Sequence, residues 1–411
     1  MKVIVLGAGV IGVTTAYYLA LDGHEVIVID KKSSAAEECS LANGGQLSYS
    51  HINPWSTSSL LKSYLKNVFF LDSCLNIKDY SNHNFYKWVY NYFKNSGDEM
   101  AFKNSKKLTQ IAQLSRELMI DLVSDDAQIV QPLKFDYKAE GILHFYRSDK
   151  VFAKEAERFK HFKKINIESK VLNIEQCLDF EPQLKKLADK KQLRGAILMP
   201  NDASGNCHDF TQKLAKICQE KYQVKFIYDC EVLNLLNNHQ KITGINTNHQ
   251  VLKADAYVCA FGALSNNLLK GIGIKTDIYP LKGYSLSINC DEQNLPAPKK
   301  SMTDIENKIV YSRFNKIFRV AGTLEMSGIN YEKDSKNINF LKKITKNSFE
   351  NCGDLAHAKI WCGLRPFRPN SLPLIDKSEK FENLFLNMGH GSLGWTLALG
   401  SASLLRDKLK K

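Results

Sequence analysis

The 411 residues suffice for one large or two medium domains, and 44% hydrophobic and 24% charged residues without a low-complexity tract exclude a disordered or fibrous chain. The formal charge of +13 comes from 56 Lys+Arg against 43 Asp+Glu. Only nine of those cations are Arg, and the lysine excess is scattered along the chain, which disfavours a dedicated nucleic-acid surface. Ten cysteines without a CxxC pair argue for reduced thiols in a cytosolic setting, with no metal site and no disulfide framework.

The chain opens with KVIVL (2–6), which is short, β-branched and uninterrupted, as a buried parallel strand is. The apolar stretch VIVLGAGVIGVTTAYYLAL that begins here is a poor secretory signal, because only Lys2 precedes it and three glycines interrupt it. GAGVIG follows, placing Gly7, Gly9 and Gly12 in G-x-G-x-x-G spacing. From Val10 to Leu21 apolar residues recur at helical intervals, Gly23 ends the helix, and EVIVID gives a second strand closing on Asp30. Strand, glycine turn, helix, strand and acid form the whole context of a dinucleotide fingerprint. The helix N-terminus faces the pyrophosphate, and Asp30 accepts from the adenosine ribose. An acid there disfavours a 2′-phosphate; FAD and NAD both satisfy the pattern. SLANGGQLS (40–48), with paired Gly44 and Gly45, is a second loop suited to close backbone approach to a cofactor.

Residues 55–130 read as mostly helical. Over 60–69 the apolar Leu60, Leu61, Tyr64, Leu65, Val68 and Phe69 form one stripe opposite Lys62 and Lys66, a pattern of a core-facing helix or of one lying on a membrane surface. Strand-like segments follow at 141–146, 195–200, 278–288, 308–314 and 317–326, several alternating apolar and polar as antiparallel strands do. Between them Cys207–Tyr222 reads as a helix, and 224–229 and 253–263 as strands that return the chain to an α/β sheet. The expected fold class is therefore α/β, a Rossmann-like dinucleotide-binding domain with an inserted, mixed and largely antiparallel sheet. The boundaries expected are 1–49, 206–272 and 366–411 for the first domain, and 50–205 and 273–365 for the insertion.

Near the C-terminus WCGLRPFRP (361–369) sets Arg365 and Arg368 among prolines and apolar residues. NLFLNM, GHGSLG and WTLALGSASLLRDKL then repeat the opening grammar of strand, glycine turn and helix. One sheet receives both chain ends, and a late clamp of this kind suits FAD, whose ring must be fixed, better than NAD.

GAGVIG, a late GHGSLGW and an intervening GLRP together resemble the D-amino-acid-oxidase/glycine-oxidase superfamily of FAD enzymes. SLANGGQLS, PNDASGNCHDFTQKLA, ADAYVCAFG, YPLKGYSL and NMGHGSLGWTLALGS, in that order, narrow the resemblance to the bacterial D-amino acid dehydrogenases (small subunit). It spans nearly the whole chain. The resemblance implies non-covalent FAD held by residues 3–17, including Val5, Gly7, Ala8, Gly9, Val10, Ile11 and Gly12. It adds Asp30 and Lys31, Asn43, Gly44, Gly45 and Gln46, the Val232 backbone at adenine, Ala260 and Gly262, and Gly389, Gly391, Ser392, Leu393 and Gly394. It also implies oxidation of D-amino acids such as D-alanine to 2-oxo acids and ammonia, with hydride passing from Cα to flavin N5. Electrons would go to a quinone or other respiratory acceptor, at the cytoplasmic side of the inner membrane, with peripheral membrane contact at most and no nucleic-acid partner. Such chemistry needs a carboxylate anchor more than a general base, and the planar fork of Arg suits that role. Arg365 matches the family's anchoring arginine, Arg368 reads as a structural ion-pair partner, and Tyr284 and Tyr311 are candidate pocket hydroxyls. Cys362 reads as a small buried residue rather than a covalent flavin link. The alternatives are a glycine- or sarcosine-type oxidase using oxygen, a flavin enzyme acting on RNA, and a non-catalytic FAD-binding subunit.

Overall fold

The computed structural model describes residues 1–50, 75–80, 82–124, 133–162, 168–290 and 297–410. The amphipathic stripe expected over 60–69 lies outside them. A six-stranded sheet has the order Leu374–Lys377, Leu384–Met388, Ala256–Cys259, Lys2–Leu6, Glu25–Ile29, Lys225–Ile227, parallel throughout except at its first pair. Its strands are apolar on both faces because both are covered. Val3, Val5, Val26, Val28 and Val258 pack against the helices Val10–Leu21, Cys207–Tyr222 and Gly394–Leu409. Ile4, Leu6, Ile27, Ile29 and Cys259 face the other way, onto Leu235, Ile242 and Ile245 of a three-stranded meander at 232–252. Each fully buried aliphatic side chain contributes about 1.5–3 kcal/mol, so this double-sided burial makes the sheet the centre of its domain. The parallel pairing brings the GAGVIG turn and the GHGSLG turn to the same edge of the sheet, since Lys2–Leu6 and Leu384–Met388 both flank Ala256–Cys259.

The second sheet is mixed and largely antiparallel. Its order is Lys359–Phe367, Tyr279–Asn289, Ile317–Met326, Ile309–Phe314, Ser301–Asp304, Ile142–Tyr146, Gly195–Met199, Lys170–Leu172, and Leu75–Ile77 pairs with the end of Ile317–Met326. Helix Ser335–Ser348 covers one face, where Leu341 joins Tyr284, Leu286, Tyr311, Phe318 and Val320 in a closed core. The opposite face meets the first sheet's glycine turns. Helix His83–Lys94 packs over one end of that face, capped at its start by the Asn82 side chain, which accepts from the Asn84 N–H at 3.0 Å.

The loop at 42–46 fastens the two sheets together. Ser285 Oγ donates to the Ala42 carbonyl at 2.7 Å, Arg319 to the Asn43 carbonyl at 3.0 Å and Ser312 Oγ to the Gly44 carbonyl at 2.8 Å. Gln46 adds bonds to Ser301 and Met302, both at 3.1 Å, and Leu47 pairs with Ala203. Three successive backbone acceptors are thus satisfied by the second sheet.

Candidate active site

Between the sheets lies a cavity of about 610 Å³. Its wall takes Gly7, Gly9, Val10, Ile11, Asp30 and Lys31 from the opening βαβ unit, and Asn43, Gly44, Gly45 and Gln46 from the fastening loop. Val232, Ala260, Gly262, Gly391, Ser392, Leu393 and Gly394 complete the side belonging to the first sheet. Val5, Ala8, Gly12 and Gly389 stand behind this wall rather than in it. Val5 is fully buried in the sheet, and a Cβ on Gly12 would fall 1.7 Å from the Gly7 carbonyl oxygen, so Gly12 exists to let helix and strand touch. Gly389 is covered by the Arg368 side chain, whose Cδ lies 2.6 Å from where its Cβ would be.

The GAGVIG turn is held from both sides. Gly7 adopts φ +106° and donates to the Ile29 carbonyl at 2.8 Å. Asp30 Oδ2 accepts from the Ala8 N–H at 2.7 Å and Oδ1 from the Lys32 N–H at 2.9 Å. Burial raises the Asp30 pKa from its ordinary value, and these two bonds work against that rise. The Val10 N–H at the helix start is taken by Ser40 Oγ at 3.0 Å.

Arg365 comes from the second sheet. Its strand pairs in unbroken antiparallel register with Tyr279–Asn289, setting Arg365 opposite Leu281 and Cys362 opposite Tyr284. Because side chains alternate along a strand, Leu281, Gly283 and Arg365 share the cavity face, and Tyr284 and Cys362 share the other. The guanidinium lies over Gly283, where a Cβ would come 2.3 Å from its Nη2. Nη1 donates to the Thr323 carbonyl at 3.4 Å. That carbonyl is turned by a bulge: Thr323 has φ +57°, unusual for a β-branched residue, where the register with Tyr279–Asn289 shifts between Lys282 and Tyr284. Among the described residues no carboxylate lies within ion-pair distance of Arg365, and burial lowers its pKa from the usual guanidinium value.

Three expected roles change on this geometry. Tyr284 borders the cavity, but its hydroxyl lies on the far face, donating to Glu325 Oε2 at 2.7 Å and accepting from the Asp334 N–H at 3.1 Å. Tyr311 is fully buried in the closed core, stacked on Phe318 with ring centroids 5.9 Å apart, while its neighbour Val310 takes the cavity side. Arg368 forms no ion pair among the described residues. It donates to the carbonyls of Thr276 and Leu372, both at 3.1 Å, and so braces the backbone before the last strand. Cys362 donates to the Tyr331 carbonyl at 3.2 Å, facing away from the cavity.

Other groups at the site carried no sequence signal. Behind the wall, Glu325 and Lys282 form a buried ion pair at 2.8 Å, each 1% exposed, joined by Tyr284 and Asn337. Burial alone would raise the Glu325 pKa, but the bonds from Lys282 and Tyr284 bring it below its ordinary value. His390, in the GHGSLG turn, is buried, and its pKa is pushed down to about 3 by desolvation.

Asn387 Oδ1, His390 Nε2, Trp395 Nε1 and Thr323 Oγ1 all belong to cavity-lining residues and lack hydrogen-bond partners among the described residues. Buried polar atoms are nearly always bonded, so four on one cavity mark the wall of a polar ligand. Together with the glycine cradle and the acid at Asp30, they fit a large dinucleotide.

The comparisons agree. The family model described as FAD dependent oxidoreductase (DAO) matches residues 2–408. This chain belongs to the DAO family of FAD-dependent oxidoreductases. FAD is accordingly its cofactor. A D-amino acid dehydrogenase of Neisseria meningitidis is 35% identical over 407 residues, covering 99% of this chain and 95% of the relative. One of Vibrio cholerae is 34% identical over 411 residues, covering 100% and 95%. Among solved structures, glycine oxidase from Bacillus cereus superposes with a TM-score of 0.76 at 20% identity, covering 100% of this chain and 94% of that one. L-Proline dehydrogenase from P. horikoshii gives 0.74 at 16%, covering 99% and 92%. At those identities the superpositions establish the fold alone. The Rossmann-like sheet with a mixed, largely antiparallel second sheet is the family's FAD-binding fold.

Proposed function

We propose that this chain is an FAD-dependent dehydrogenase that converts D-amino acids to 2-oxo acids and ammonia. The full-length identity to D-amino acid dehydrogenases supports the substrate class. The observation that carries the site is the guanidinium of Arg365, kept on the cavity wall with no carboxylate of the described residues within ion-pair distance. A guanidinium in such a place is costly unless a ligand carboxylate pairs with it.

Arg365 is the carboxylate anchor, its fork offering two parallel N–H···O bonds, with the Thr323 carbonyl fixing its tilt and Gly283 leaving it room. Gly7, Gly9, Asp30, Asn43–Gln46 and the GHGSLG turn hold the dinucleotide, and bound FAD supplies the two-electron acceptor. The chain's residues fix the amino acid so that its Cα–H bond is presented to that acceptor, and the closed core keeps water away from the far face. The free amine form loses Cα hydrogen with both bond electrons, leaving an imine and one proton, and water then converts the imine to oxo acid and ammonia. No described side chain is suited to be a dedicated base: the Tyr284 hydroxyl is taken by Glu325, and His390, its pKa pushed down to about 3 by burial, is too weakly basic to take a proton at neutral pH.

The finer reading is that electrons leave to a quinone or another respiratory acceptor, with the protein at the cytoplasmic face of the inner membrane, dissolved or peripherally attached. No helix among the described residues is long and apolar enough to cross a membrane. The test is turnover of purified holoenzyme with D- and L-alanine, measuring ammonia and 2-oxo acid with a soluble quinone or with oxygen as acceptor. Product from the D-isomer with quinone, and little peroxide, is expected. Product from the L-isomer overturns the substrate class, and peroxide at turnover rate overturns the acceptor.

A further inference from the structure

Arg319 carries a charge that its fastening of the loop at 42–46 does not require. It is nine-tenths buried, and among the described residues no carboxylate lies within ion-pair distance of it. Its Nη1 donates to the Asn43 carbonyl at 3.0 Å, and its Cζ lies 5.9 Å from the centre of the Phe314 ring. Its Nε has no partner among the described residues. Burial pushes its pKa down to about 10, which still leaves the guanidinium charged at neutral pH. The titratable groups facing it do not cancel that charge, since burial raises the Cys207 pKa to about 12 and lowers that of His208. Ser285 and Ser312 tie down the neighbouring carbonyls of Ala42 and Gly44 with neutral hydroxyls. An uncompensated buried cation is an expensive way to do the same.

The loop directs that charge toward the cavity. In a trans peptide the N–H points opposite to the C=O. The Ala42 and Asn43 carbonyls are turned to Ser285 and Arg319, so the Asn43 and Gly44 N–H groups leave on the other side of the loop. Neither meets an acceptor among the described residues, and both residues line the cavity. The Gly45 N–H, by contrast, donates to Asn43 Oδ1 at 3.0 Å. Arg319 also shares a strand face with Ala321, a cavity residue about 7 Å along the chain from it. The guanidinium thus stands at the negative end of a peptide dipole whose positive end faces the cofactor's side.

We infer that Arg319 is an electrostatic positioning residue: acting through the Asn43–Gly44 peptide, it makes this wall positive and raises the reduction potential of the bound flavin. The inference rests on the FAD chemistry above and adds what sets its driving force. Hydride carries one proton and two electrons, so its addition to the neutral oxidised ring leaves one negative charge there. A fixed cation behind oriented N–H groups stabilises that charge without reorganising, and the low local dielectric strengthens the effect. Arg365 cannot supply it once a substrate carboxylate has neutralised its charge. Arg319 has no such partner, so its field persists through the reaction.

The test is the midpoint potential of the purified holoenzyme, read against a reference dye, together with a sulfite titration followed by flavin absorbance. Sulfite adds to the oxidised ring and leaves a negative charge on it, so its Kd reports the same field without turnover. Arg319→Gln keeps a donor for the Asn43 carbonyl and removes the charge. Its sulfite Kd should rise about tenfold or more, with a fall in potential of about 30 mV, the two-electron equivalent of tenfold. Arg319→Lys keeps the charge and should stay within about threefold of wild type. Ser312→Ala removes a neutral tie to the same loop and should also stay within about threefold, whatever its effect on FAD retention. Arg319→Gln with wild-type affinity and potential, or Ser312→Ala shifted as far as Arg319→Gln, reduces Arg319 to fastening and overturns the inference. If Arg319→Gln does not hold FAD, the wild-type protein decides: its bound flavin should have a higher potential than free FAD, and a lower one overturns the inference. The predicted shifts in a protein whose flavin no D-amino acid bleaches would support this inference and overturn the D-amino acid reading instead.

Discussion

At the GAGVIG turn the cavity wall is backbone, whereas at the GLRP strand it is side chain. The first is made by residues close in sequence, with Gly7, Gly12 and Asp30 falling within one βαβ unit. The second is assembled from strands drawn from residues 279–289, 317–326 and 359–367, and from helix His83–Lys94. The nucleotide end therefore tolerates change at most side chains and almost none at its glycines. The substrate end depends on a few buried polar groups whose partners come from distant parts of the chain.

The sharpest way to break the nucleotide end is Gly12→Val. The added Cβ would meet the Gly7 carbonyl oxygen at 1.7 Å, so holoenzyme should not be recovered, and the flavin-to-protein ratio should fall to near zero. Next comes the pair behind the substrate wall. Lys282→Met leaves the buried Glu325 with only the half-exposed Lys78, 3.6 Å away, as a cation, at a cost of up to roughly 3–5 kcal/mol measured by denaturant unfolding. Lys282→Met with Glu325→Leu should recover part of that loss, because no orphaned charge remains. Arg365→Ala should raise KM for D-alanine by roughly 10- to 100-fold with FAD retained, the effect of losing about 1.5–3 kcal/mol of charge-assisted bonding. Arg368→Ala should instead lower stability, since its bonds go to the Thr276 and Leu372 carbonyls; equal KM effects from the two variants would contradict the assignment.

Asp202 offers an effect on stability with a definite sign. Burial pushes its pKa up to about 7, although its Oδ1 accepts from the Ser50 N–H at 2.7 Å. The unfolded chain releases this proton near pH 4 and the folded chain holds it until about 7, so stability is greatest at acid pH and is lost as pH rises through 7. Asp202→Asn should remove that slope, with a gain over wild type that is larger at about pH 8 than at about pH 4 by at most about 4 kcal/mol. The least effect is expected from the tyrosines. Tyr284→Phe should cost about 1 kcal/mol of stability without changing KM, and Tyr311→Phe should leave KM unchanged, because neither hydroxyl reaches the cavity.

The same contrast explains what could be read from the sequence. The opening strand, the helix Val10–Leu21, the second strand and the late glycine turn are local patterns, and the structure has them within a residue or two. The helix Cys207–Tyr222 was legible for the same reason. Arg365 stands out in the sequence because two arginines in an apolar setting are conspicuous in a chain with nine, and GLRP singles out the first of them by resemblance; the structure sets its side chain on the cavity wall. Tyr284 and Tyr311 were misplaced because the face of a strand is set by its pairing. One residue's shift in register reverses it, and Tyr279–Asn289 and Ile317–Met326 are buried on both faces, so no alternation along them says which face meets the cavity. Arg319, Ser285 and Ser312, which tie down the loop at 42–46, lie more than 240 residues from it, so nothing near them in sequence announces their task. The bulge at Thr323 was likewise invisible, since a β-branched residue in an apolar run predicts regular strand.

The central claim is that the two ends of this cavity act together on one D-amino acid. Its most direct test is anaerobic mixing of the holoenzyme with D-alanine and, separately, with L-alanine, following the visible flavin absorbance. Rapid bleaching by the D-isomer alone is the predicted result, and in Arg365→Ala it should need far higher D-alanine. Bleaching by L-alanine, or none with either isomer, would contradict it.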